Sequence, residues 1–229
     1  MHASPTIHLQ PTAPLAERVL LPGDPARALM LAQALLEAPK MFNHNRGLWG
    51  YSGLAHDGRQ LTIQSSGMGG PSAAIVVEEL VMLGARRIVR VGTCGALEPG
   101  LALGEPLVAA GALCEDGTSR TISGAPRVAG DPALAAALEA ASGGRAGDVA
   151  SVDLFYEENP VAAGRRALAV EMEAATLFAL AAARGFAAGA LLVVSDTFSS
   201  DGVRERITPE ALRDAAERAG RAAAQALAD

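Results

Sequence analysis

Strand, glycine turn and helix follow one another at least three times along these 229 residues, and few folds satisfy that order. Arg18–Leu21 is a short apolar run closed by Pro22-Gly23-Asp24-Pro25. Residues 87–91 form a second, closed by Gly92-Thr93-Cys94-Gly95-Ala96, and residues 190–194 a third, followed by a polar loop expected over 195–207. Residues 106–112 and 168–170 add further strand-like runs, and 49–54 with Gln60–Gln64 read as a hairpin around His56-Asp57-Gly58. Alanine-rich helical patterns cover 25 to about 36, 71–83, Pro132–Ser142, 173–184 and 209 to near 228. Asp24, Asp131 and Thr208 each stand before a proline, which places a capping side chain ahead of a residue suited to the first helical position. The order predicts one α/β domain over residues 1–229, a mixed central β-sheet covered by helices. Ligands of such sheets bind beyond the carboxyl ends of the strands, so the turns after Leu21, Val91 and Val194 should converge on one site.

Composition removes several classes of function. Asp and Glu number 25 against 19 Lys and Arg, a formal charge of −6, which argues against a protein that neutralises nucleic-acid phosphates. Half the residues are hydrophobic, so the chain is expected to fold. Its longest apolar stretch, near 187–194, is too short to span a membrane. Met1-His2-Ala3-Ser4-Pro5 lacks the basic and apolar regions of a signal peptide, so a cytoplasmic protein is expected. Cys94 and Cys114 fit neither a disulfide scaffold nor a zinc site and read as buried thiols; no metal is expected. Aromatic residues are 3% of the chain, so any base-stacking surface rests on one or two rings.

The turns carry the chemistry. Gly23 lets backbone approach a ligand, the helix opening at Pro25 offers free N–H groups, and Arg27 lies one turn into it. Arg90 interrupts an apolar run, where either an anion or a structural carboxylate must answer its charge. With the Thr93 hydroxyl, these groups describe a phosphate pocket. They match neither a Walker loop nor a dinucleotide fingerprint. Glu171 and Glu173 flank Met172 at a strand-to-helix junction. They either favour the first helical turn or accept paired sugar hydroxyls from one side of an extended segment. Asp196 ends an apolar run at the same predicted edge.

Six ordered motifs resemble the hexameric purine nucleoside phosphorylases, within the wider nucleoside phosphorylase superfamily that includes uridine phosphorylases. They are Val19-Leu20-Leu21-Pro22-Gly23-Asp24-Pro25, Asn45-Arg46-Gly47, Gly67-Met68-Gly69, Arg90-Val91-Gly92-Thr93-Cys94-Gly95-Ala96, Val170-Glu171-Met172-Glu173-Ala174-Ala175 and Val194-Ser195-Asp196. The resemblance implies reversible phosphorolysis of purine (2′-deoxy)nucleosides to free base and (deoxy)ribose 1-phosphate, with inorganic phosphate as co-substrate and no cofactor. It assigns phosphate to Gly23, Arg27, Arg90 and Thr93, and to Arg46 reaching in from a neighbouring subunit. Met172 and Glu173 would bind the ribose hydroxyls, Glu171 would lie near base and sugar, and Phe155 would stack on the base. His8, also from the neighbour, would meet the 5′-hydroxyl. Asp196 would be the general acid at purine N7, assisted by Arg206, with Arg204 a close rival. A homo-oligomer, built from dimer units that share active sites and assembled into a hexamer, follows from the same resemblance.

Purine is preferred to pyrimidine for two reasons. Ser195-Asp196 supplies an acid that uridine phosphorylases lack, and the segment between Tyr156 and Val170 is short, without their Gln-x-Arg pair. A uridine phosphorylase, a nucleosidase and a non-catalytic nucleoside-binding module are the alternatives.

Overall fold

The first apolar run forms β1 (Arg18–Leu21), and its Pro-Gly-Asp-Pro exit opens α1 (Pro25–Leu35). The Asp24 carboxylate accepts the Ala26 N–H at 2.9 Å, and Pro25, which has no N–H to satisfy, takes the first turn. This computed structural model describes residues 6–156, 167–198 and 204–228. Among them follow β2 (Leu36–Asn43), β3 (Gly50–Ala55), β4 (Gln60–Gln64), α2 (Gly70–Leu83), β5 (Arg87–Ala96) and β6 (Pro106–Glu115). Next come α3 (Gly117–Ser123), β7 (Arg127–Ala129), α4 (Pro132–Ser142), β8 (Arg145–Val152) and β9 (Ala169–Glu171). The chain ends with α5 (Ala174–Arg184), β10 (Ala187–Phe198), β11 (Arg204–Arg206) and α6 (Pro209–Ala226).

All described strands join one mixed sheet in the order β11-β10-β6-β8-β9-β5-β1-β4-β3-β2, with β7 beside β6. Because β10 also pairs with β5, the strands β5, β10, β6, β8 and β9 close into a ring, from which β1, β4, β3 and β2 extend. One face carries Ile88, Cys94 and Leu192 and is covered by α2 and α5; the other carries Val89, Val91 and Val193 and is covered by α1, α4 and α6. Gly220 allows the close contact of α6 with α1, since a Cβ there would collide with the Leu31 side chain. Among the described residues no helix is long and apolar enough to cross a membrane.

The α/β architecture expected from the alternation is present. β1, β5 and β10 lie side by side and parallel, with Leu21 opposite Arg90 and Ala190 opposite Arg90 on its other flank. Their carboxyl ends therefore share one edge. Two expectations are corrected. Gly92 to Ala96 is not a turn but the continuation of β5, held in the ladder by Leu192, Val193 and Val194 of β10. Ser195 to Phe198 likewise continues β10, and Arg204–Arg206 returns antiparallel to it where a polar loop was expected. The strands β2, β7, β8 and β11 and the helix α3 were not expected. Pro39, with Ala38 at φ 42°, breaks the alternation of β2, and β7 and β11 are only three residues long.

Candidate active site

Arg90 is built into the sheet face rather than into a loop. Its guanidinium lies forward along β5 over Gly92, where a Cβ would sit 2.8 Å from both Cζ and Nη2. Nε donates to Glu171 Oε2 at 3.0 Å, and Nη2 pairs with Glu173 Oε2. Nη1 faces the first turn, 3.9 Å from where a Gly23 Cβ would be. Burial works against this charge, but the Glu173 and Glu171 carboxylates outweigh it and hold the pKa above that of an ordinary arginine.

Arg27 differs. It is half-buried on the first turn of α1 and forms no hydrogen bond or ion pair among the described residues. Burial lowers its pKa, the Asp24 charge partly offsets that, and the nearby Arg90 lowers it again. Two guanidiniums are thus close enough to repel, beside a helix N-terminus and a glycine turn. That is the electrostatic outline of an anion site. Thr93 is half-buried, and strand alternation sets it on the α1 face of β5. The loop after β4 runs alongside, with Ser66 N–H donating to Pro22 O at 2.9 Å and Gly67 N–H to Gly23 O at 3.1 Å.

Glu171 and Glu173 do face the same side, since both reach Arg90. They do different work. The Glu171 carboxylate, fully buried, accepts from Arg90, from Ser151 Oγ, and from the N–H groups of Glu173 and Ala174 at 2.9 Å. Its oxygens are engaged by the protein, and it caps α5 while bracing Arg90. Glu173 Oε1 accepts the Gly69 N–H at 2.5 Å, which ties α5 to the Gly67-Met68-Gly69 loop. Burial raises the Glu173 pKa, Arg90 opposes this, and Glu171 raises it further, leaving it above the usual carboxylate range. Met172 is half-buried between them.

Asp196 lies on the next strand. A bulge between Val194 and Asp196 shifts the β10 register so that Asp196 pairs with Gly95. Asp196 Oδ1 accepts from Arg204 Nε at 2.9 Å and meets Arg206 Nε at 3.0 Å, while Oδ2 accepts from Ser195 Oγ at 2.7 Å. Both arginines of β11 therefore hold the carboxylate, where the sequence left the choice between them open. Their Cζ atoms stand 4.8 Å (Arg204) and 5.9 Å (Arg206) from the centroid of the exposed Phe155 ring, which packs edge-on to Tyr156. Cys94 lies between the two ends of the site. Burial, with the Glu171 charge, pushes its thiol far up, so it is inert.

Two expected residues stand apart from this cluster. Arg46 is exposed on a 3-10 turn (Asn45–Gly47) with φ 56°, and His8 is paired with Glu79 at 2.7 Å. Neither meets Arg90, Glu173 or Asp196 among the described residues. Residues 157–166, part of the shortened segment after Tyr156, lie outside the described residues. Gly92, Ser151 and Ser195 were missed as supports. A glycine two residues beyond a strand arginine was the signal for the first; single serines gave none.

The profile of the Phosphorylase superfamily matches residues 17–229. A purine nucleoside phosphorylase DeoD-type of Oceanobacillus iheyensis is 37% identical over 196 residues, covering 80% of this chain and 83% of that protein. Its counterpart in Roseobacter denitrificans is 38% identical over 194 residues, covering 80% and 82%. A crystal structure of uridine phosphorylase from Vibrio fischeri, complexed with 6-hydroxy-1-naphthoic acid, superposes with a TM-score of 0.81 at 26% identity, over 93% of this chain and 92% of that one. The ordered motifs and these likenesses agree: the chain belongs to the phosphorylase superfamily, among the relatives of the DeoD-type purine nucleoside phosphorylases.

Proposed function

We propose that the protein is a purine nucleoside phosphorylase, cleaving purine (2′-deoxy)nucleosides with inorganic phosphate to give free base and (deoxy)ribose 1-phosphate. One observation carries this reading. Arg27, near Asp24 but in no hydrogen bond or ion pair among the described residues, is set against Arg90 at the opening of α1. Phosphate would answer the Arg27 charge there and meet the Nη1 side of Arg90, with Gly23 backbone and Thr93 completing the pocket and Arg46 added from a neighbouring subunit. Glu173 and Met172 would hold the ribose, with Glu171 keeping Arg90 and α5 in place beside it. His8 of the neighbour would meet the 5′-hydroxyl, which makes the working unit a dimer at least.

As the C1′–N9 bond breaks, positive charge grows on the sugar and negative charge on the base. Asp196 gives its proton to N7 of the purine, and Arg204 and Arg206 receive the carboxylate charge left behind. Phe155 covers the base. Phosphate stabilises the cationic sugar and then bonds C1′ through oxygen. The chemistry calls on no cofactor.

A turnover panel of adenosine, inosine, guanosine and uridine, with and without phosphate, tests the reading. Purine release that depends on phosphate and exceeds uracil release is expected. Equal turnover in phosphate-free buffer would establish a nucleosidase, preference for uridine would establish the pyrimidine enzyme, and binding without base release a non-catalytic module.

A further inference from the structure

Glu79, buried on α2, takes no part in the site described above. Its carboxylate gathers three consecutive backbone N–H groups, those of Ile7 at 3.2 Å, His8 at 3.0 Å and Leu9 at 2.6 Å. Oε1 also lies 2.7 Å from His8 Nδ1. Burial opposes the Glu79 charge, but the Leu9 amide, the His8 ring and the other amides outweigh it and hold the carboxylate below its usual range. An ionised carboxylate only accepts, so Nδ1 carries the proton and Nε2 faces away from Glu79.

The same segment is held twice more. Asn43 Oδ1 accepts the Gln10 N–H at 2.9 Å, and Asn45 Nδ2 donates to His8 O at 3.0 Å and Ile7 O at 3.3 Å. Asn45 begins the turn whose next residue is Arg46. Asn45 thus ties the His8 segment to the turn that bears Arg46, while the Glu79 carboxylate is what meets the His8 ring.

We propose that Glu79 is a positioning residue for nucleoside recognition, fixing the tautomer and direction of the His8 ring so that Nε2 meets the 5′-hydroxyl of a nucleoside bound in the adjacent subunit. The inference rests on the phosphorylase reading and on the place given there to His8. It separates Glu79 from a merely structural role, because only a substrate bearing that hydroxyl would register its loss.

Phosphorolysis of inosine and of 5′-deoxyinosine by wild type, Glu79→Gln, His8→Ala and the double variant tests it. Glu79→Gln is expected to lower kcat/KM for inosine on the order of ten- to hundred-fold, mostly through KM, as small misplacements of a binding group do. 5′-Deoxyinosine should lose far less, and the double variant should be no worse than His8→Ala. Equal losses on both nucleosides, or additive losses in the double variant, would overturn the proposal. If His8→Ala itself fails to distinguish the two substrates, the place of His8 is wrong and the inference falls with it. Phosphate dependence, measured separately, would still stand. Should Glu79→Gln not fold, Glu79→Asp, which keeps the charge on a shorter arm, is held to the same selective loss.

Discussion

A methyl group at position 92 would occupy the space of the Arg90 guanidinium, 2.8 Å from its Cζ, with Leu192 Cδ2 only 3.0 Å away on the other side. Gly92→Ala should therefore dislodge Arg90 and raise the KM for phosphate, by about ten-fold or more if one charge-assisted contact of about 1.5–3 kcal/mol is lost. Initial rates against phosphate concentration check this. Asp196→Asn should do the opposite, lowering kcat by about 10²–10⁴-fold with little change in the KM for phosphate, as loss of a positioned general acid does. Arg90 was legible as a charge that something must answer, because it is a cation in an apolar run. Its answer was not legible: Glu171 and Glu173 stand 81 and 83 residues further along, and only folding brings them to the guanidinium. Gly92 was misjudged for a related reason, since a glycine that seats a neighbour's side chain looks in sequence like one that makes a turn.

Among the elements, the helices that begin Asp-Pro or Thr-Pro were readable to within a residue or two, because capping is local chemistry. Asp24, Asp131 and Thr208 all accept N–H groups from the first turn of α1, α4 and α6. Replacing Asp131 by Ala should cost about 1 kcal/mol in urea unfolding and leave catalysis unchanged. Asp24→Ala should cost about as much and also raise the KM for phosphate, because the turn it caps bears Arg27. The β3–β4 hairpin was readable from Asp57-Gly58, but not its tie to β1. Arg18 donates to both Asp57 oxygens at 2.6 Å and, with burial opposing, lowers that carboxyl from 3.8 to about 2. A carboxylate depressed on folding adds stability above its unfolded pKa, which is lost as pH falls through the folded value. Stability should thus decline between about pH 4 and pH 2 in part through Asp57, and Asp57→Asn should flatten that part of the urea-midpoint profile.

For the molecule as a whole, phosphate bound only by the folded state adds stability by mass action, about 2.7 kcal/mol at a hundred-fold excess over Kd. Thermal unfolding should move upward with phosphate and not with chloride at equal ionic strength, and Arg90→Ala should abolish the movement. The closed ring of strands could not be read from the sequence. It depends on β10 pairing with both β5 and β6 and on β9 bridging β8 and β5, contacts between segments remote in the chain. At one end of the sheet β2 carries Pro39 and a left-handed Ala38, and at the other β11 has only three residues, so neither offers a long edge for stray pairing.

β5 and β10 pair from Val91 and Leu191 through Thr93 and Val193 to Cys94 and Val194, and past the bulge Gly95 pairs with Asp196. The proposed phosphate cradle hangs from one of these strands and the proposed proton donor from the other, so backbone pairing works as a ruler between them. A leaving group of another size has to be fitted under a different roof. Efforts to widen the choice of base belong at Phe155 and Tyr156, with the ruler left alone.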